Sequence, residues 1–226
     1  MCINDIKIPK YSLGEELLNA ISHGLGAIFG IVALILMLVK VVPTGDSYRI
    51  ASSIVYGLSL IILFTISCVY HSLANNRAKR VLRVLDHDMI YILIMGTYTP
   101  YMLVALRPYN VWGWGMSVVA WLMWAFVWVC CIIGTVFNSI NIHKYRGLSM
   151  ACYIVAGWVV VTALFVLWNI ITPVGVLLLL GGGIVYTIGA VLYGIGKTKK
   201  YFHSIFHFFV LAGAILMFIS VYCFVL

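Results

Sequence analysis

The apolar residues of this chain neither alternate nor keep to one helical stripe; they run on. Nearly unbroken hydrophobic stretches lie near 19–40, 50–73, 88–106, 113–136, 148–169, 174–195 and 203–226. Each is about 20 residues long, the length an α-helix needs to cross a bilayer's hydrocarbon core. The polar connections between them are short, and no internal repeat divides the series. The pattern predicts an all-α membrane protein, a single seven-helix transmembrane bundle over 19–226 preceded by a segment at 1–18. In that segment "SLGEELLNA" reads as a short interfacial helix, with Ser12 as N-cap and Glu15 three residues on as its capping-box partner. Asp5, Glu15 and Glu16 interrupt any basic-then-apolar order, so a signal peptide is not expected there.

Composition sharpens this. Only 9% of residues are charged and 64% are hydrophobic, whereas a soluble domain carries about 25% charged residues. The net charge of +8 raises the question of nucleic acid, but its distribution answers differently. Placing the N-terminus in the cytoplasm puts Lys7, Lys10, Arg77, Lys79, Arg80, Arg83, Lys144, Arg146, Lys197, Lys199 and Lys200 inside. Only Lys40, Arg49 and Arg107 then fall outside. That asymmetry predicts N-terminus in and C-terminus out. The basic residues read as topology and headgroup contacts, with no role for nucleic acid. Cys2, Cys68, Cys130, Cys131, Cys152 and Cys223 form no CxxC pair and lie mostly in apolar runs, which disfavours a disulfide scaffold or a thiolate metal site.

Ionisable groups inside a span are costly and mark function. On this topology His23, His71, His87, His203 and His207 share the cytoplasmic leaflet with Asp86 and Asp88, while His143 lies in a cytoplasmic loop. His203 and His207 are four residues apart and so share one helical face. Two imidazoles at that spacing can chelate one ion, and His71 is at the right depth to be a third ligand. Ser67, one turn before His71, shares its face, and Asp86 sits where a carboxylate could hold water or orient an imidazole. Plainer roles compete. Interfacial histidines also face headgroups, and carboxylates settle at helix N-termini, so Asp88 divides evenly between cap and site. His87 and His23 read as neighbours of a site rather than ligands. Gly26 to Gly30 and Gly181–Gly183 read as packing patches, Pro100 as a kink, and Trp112 and Trp114 as an interfacial belt. Segment seven has no lysine beyond Lys200, which removes a retinal-type Schiff base.

Four motifs in order, "EELLNAISHG" at 15–24, "SCVYH" at 67–71, "LDHDMIYILIMGTYTP" at 85–100 and "HSIFH" at 203–207, resemble the hemolysin III family of bacterial membrane proteins. Through that family they also resemble the progestin and adipoQ receptors. The resemblance covers nearly the whole chain and implies a bacterial inner membrane. It also implies zinc on His71, His203 and His207, with Asp86 holding its water and Ser67 as a polar neighbour. The wider superfamily includes alkaline ceramidases, which hydrolyse a lipid amide. Two expectations follow. One is a zinc-dependent hydrolase of a lipid amide or ester, with Asp86 as general base and the acyl chain entering from the inner leaflet. The other is a membrane-state sensor, channel or pore, with structural zinc and no chemistry.

Overall fold

The computed structural model describes residues 6–109, 118–196 and 199–226. Seven helical spans cross the molecule, each long and apolar enough for a membrane, and no strand occurs among the described residues. Trp112, Trp114, Cys2, Asp5 and Lys197 lie outside the described residues. The described cysteines are all free.

Helix α1 (Leu13–Val41) begins at Ser12 with both hydrogen bonds of the capping box in place. The short interfacial helix suggested by the sequence is therefore not separate: cap and first span are one continuous helix. A 3-10 turn (Val42–Thr44) and Gly45 at φ +66° reverse the chain. Asp46 then caps α2 (Ser47–Ser72) through the Tyr48 and Arg49 amides.

Asn76 caps α3, which runs Arg77–Pro100 and passes directly into a π-helix at Tyr101–Leu106. The apolar run opens at residue 88, yet the helix starts three turns earlier. Its first turns carry Arg77, Lys79, Arg80 and Arg83, which hide them from a hydropathy reading. Asp86 and Asp88 therefore lie well inside a helix, and the N-terminal cap role considered for Asp88 does not apply. Pro100, which supplies no amide hydrogen, marks the change from α to π winding.

Helix α4 is Val118–Ile140. The fifth span combines α5 (Arg146–Trp158), a 3-10 stretch (Val159–Ala163) and α6 (Leu164–Ile170). Tyr98 of α3 explains that interruption. Its hydroxyl donates to the Gly157 carbonyl and accepts from the Val160 amide, at 3.0 and 2.9 Å. A side chain inserted in this way opens a helical ladder. Ile171 alone separates α6 from α7 (Thr172–Ile195), and α8 (Phe202–Ser220) continues as a π-turn to Val225.

Neighbours in sequence are neighbours in space, and α8 closes the ring against α1. The third span is the most buried, packed among α2, α4 and α5. Leu17, Ile21, Leu25 and Ile28 on α1, and Val174, Leu177 and Ile184 on α7, point outward as lipid-facing side chains. Of the small-residue patches, Gly26 lies against Phe64, Gly30 against the Ile61 backbone, and Gly182 against Met217. Gly181 and Gly183 make only ordinary contacts. Close helix approach thus uses the glycines that face a partner, not each member of a patch.

Candidate metal centre

Alternating spans bring the start of α1, the end of α2, the first half of α3 and the start of α8 to one end of the bundle. There His71, His203 and His207, all buried, place one ligand nitrogen each within 4.8 Å of one another. The α8 pair meets through its Nε2 atoms at 3.1 Å. A tetrahedral ion with metal–nitrogen bonds of about 2.0–2.1 Å would set two such nitrogens about 3.3 Å apart, so this edge fits one. His71 reaches the pair from α2, and its Nε2 is buried without a hydrogen-bond partner.

The opposite nitrogen of His71 is held. Its Nδ1 lies 2.6 Å from Glu16 Oε2, and the Asn19 side chain meets the same atom at 3.3 Å. A carboxylate at Nδ1 fixes that N–H and leaves Nε2 as the lone-pair donor. Lys79 completes the chain: its ammonium donates to Glu16 Oε1 at 2.5 Å and to the Leu73 carbonyl at 2.8 Å. Lys79 is 4% exposed, so it is a buried partner of the site rather than a headgroup contact.

Tyr11 closes the aqueous side. Its ring stacks on His203 at 4.9 Å and lies 5.8 Å from His71. Burial raises its phenol far above the ordinary value, with the nearby Tyr70, Tyr193 and Asp86 adding to the shift, so Tyr11 stays neutral. Tyr201, just before α8, has φ +64°, a conformation that costs a non-glycine residue on the order of 1–3 kcal/mol. Glu15 Oε1 accepts its amide hydrogen at 2.7 Å and ties the entry of α8 to the start of α1.

The other sequence candidates separate. His23 packs on His207 with ring centroids 3.8 Å apart, and both its nitrogens are buried without partners. It is nevertheless outside the converging group. Ser67 Oγ is buried and without a hydrogen-bond partner, one turn before His71. Asp86 is half-buried, its Oδ2 3.7 Å from His87 Nδ1, and is not in the converging group. His87 faces the Arg83 carbonyl at 2.9 Å and the Tyr193 hydroxyl at 2.8 Å, so both ring nitrogens are occupied. Asp88 accepts from Asn138 and Ser139 at 2.8 and 2.7 Å and bridges α3 to α4.

The family model described as "Haemolysin-III related" matches residues 11–218. The chain belongs to that family. Hemolysin-3 of Bacillus cereus is 35% identical over 212 residues, covering 94% of this chain and 92% of its own. The Hemolysin-3 homolog of Bacillus subtilis is 33% identical over 215 residues, covering 94% and 96%. A more distant likeness, 23% identical over 175 residues, links the chain to the human monocyte to macrophage differentiation factor, covering 75% and 68%. Seven spans and these bacterial family members fit a multi-pass inner-membrane protein.

Glu16, Asn19, Lys79 and Tyr11 are the site residues that sequence reasoning missed. A signal existed for the first two: Glu16 and Asn19 stand three apart on one face of a helix whose other face is apolar.

Proposed function

We propose that the chain is a zinc-dependent intramembrane hydrolase acting on a lipid amide or ester. The observation that carries this reading is the convergence of three buried imidazoles from two helices, with His71 held at Nδ1 and unpartnered at Nε2. Three neutral nitrogen donors suit zinc, and a structural zinc site would use a fourth protein ligand. Among the described residues the converging group has three members.

His71, His203 and His207 would hold the ion. When bound, zinc supplies positive charge that polarises a carbonyl and acidifies water. Asp86 accepts the proton of the attacking water and returns it to the leaving group. Ser67 offers a free hydroxyl one turn before His71, and Tyr11 covers His203 against bulk water. The positive-inside asymmetry supports a site in the cytoplasmic leaflet, reached by an acyl chain sliding between helices.

The test is lipid turnover by purified protein in vesicles carrying amide- and ester-linked lipids. Asp86→Asn should retain metal and lose hydrolysis by roughly 10²–10⁴-fold, the scale of general base catalysis. Absence of lipid turnover by the wild type would contradict the hydrolase and favour a non-enzymatic membrane-state sensor built on the same histidines.

A further inference from the structure

A cavity at the histidine end of the bundle is lined by more hydrogen-bond donors than the protein itself uses. Its volume is about 470 Å³ and its wall reaches His203, a size within the range of small-molecule sites. Several of its polar groups are already satisfied. Glu15 accepts from Tyr201 and Ser12, Asn138 donates to Asp88, and the Tyr153 hydroxyl donates to the His87 carbonyl. What remains has one character. Arg83 Nε and Nη1 are buried with no hydrogen-bond partner, and no carboxylate among the described residues lies within ion-pair distance of that guanidinium. The Ser149 hydroxyl, on the same wall, is also buried without a partner. Lys10, Lys199 and Lys200 stand exposed at the rim.

A buried guanidinium with unmade hydrogen bonds is costly unless a ligand brings the acceptors. The ligand that answers this wall is negative, rich in acceptors, and able to engage a planar fork and a hydroxyl together. We infer that the cavity binds a phosphate-bearing group, anchored by Arg83, hydrogen-bonded by Ser149 and drawn in by the rim lysines. Phosphate fits better than a carboxylate because it presents oxygens to the arginine fork, the serine and a lysine at once. This rests on the proposed hydrolase and deepens it: a headgroup held here sets neighbouring bonds of the same molecule beside His203. A phospholipid and a soluble phosphate ester share this chemistry.

The experiment reads binding alone, in full-length Asp86→Asn protein, where turnover does not interfere. Dioctanoyl phosphatidic acid, glycerol phosphate and the uncharged dioctanoyl glycerol are titrated into the protein in maltoside micelles. Saturable binding of a phosphate probe is expected, tighter than that of dioctanoyl glycerol by roughly tenfold or more. Adding Arg83→Gln should weaken that binding by roughly tenfold or more, the scale of one charge-assisted hydrogen bond. Should Arg83→Gln fail to fold, Ser149→Ala is the second variant, with roughly a threefold loss expected for one neutral hydrogen bond. Binding of phosphatidic acid alone assigns a lipid ligand, and binding of glycerol phosphate alone a soluble ester; both support the inference. Failure of both phosphate probes to bind, or equal binding in the folded variants, overturns it. Binding without lipid turnover by the wild type would overturn the hydrolase and leave the phosphate site standing.

Discussion

His71 can serve as a ligand only if something fixes its other nitrogen, and Glu16 does so at 2.6 Å. Replacing Glu16 by Gln keeps the shape but removes the charge that holds the Nδ1 proton. Metal titration should then show affinity lowered by about 10–100-fold, the usual cost of losing an outer partner of a ligand histidine. An unchanged affinity would make Glu16 a packing residue. Lys79 gives a second prediction, because it neutralises Glu16 in a buried setting. Removing one member of a fully buried pair typically costs about 3–5 kcal/mol; Glu16 is partly exposed, so Lys79→Met should cost less and still lower the unfolding temperature measurably. The convergence of the three histidines was legible in the sequence, since the His203–His207 spacing is local and helical and His71 shares their depth. The contacts that Glu16 and Lys79 make were not, because they join residues 55 and 63 positions apart across different helices. Asp88 was ambiguous for a related reason: its partners Asn138 and Ser139 come from α4.

At the scale of elements, α3 departs furthest from its hydropathy outline. Its first turns are basic because they carry residues serving other elements: Lys79 reaches α1, and Arg83 lines the cavity. Spans two and seven were bounded to within three residues, because their apolar runs end where the helices do. Close contact between α1 and α2 depends on Gly26, whose missing side chain leaves room for the Phe64 ring. Phe64 in turn lies edge-on to His23 at 5.0 Å, and His23 packs on His207. Gly26→Val should therefore cost about 1–3 kcal/mol through overpacking. It should also loosen the metal site, read as lower thermal stability together with weaker metal binding. Reduced stability with unaltered metal affinity would separate this helix contact from the centre.

For the whole molecule, the bundle is polar at one end and apolar around its outside, and the charge asymmetry predicts that the histidine end meets the cytoplasm. At the opposite end the three remaining cations are engaged by the protein: Lys40 donates to the Tyr222 carbonyl, Arg49 to the Leu226 carbonyl, and Arg107 lies over the Tyr48 ring. Reporter fusions after Leu226 should read outside and those after Asn75 inside; the reverse would move the centre to the outer leaflet without altering its ligands. The proposed hydrolase depends on a metal ion at the three converging histidines. The most direct test is metal analysis of the purified full-length protein beside the His203→Ala, His207→Ala double variant. A three-histidine zinc site predicts one zinc per chain in the wild type and none above background in the folded variant. Full zinc occupancy in that variant, or a wild type that takes up no zinc, would contradict it.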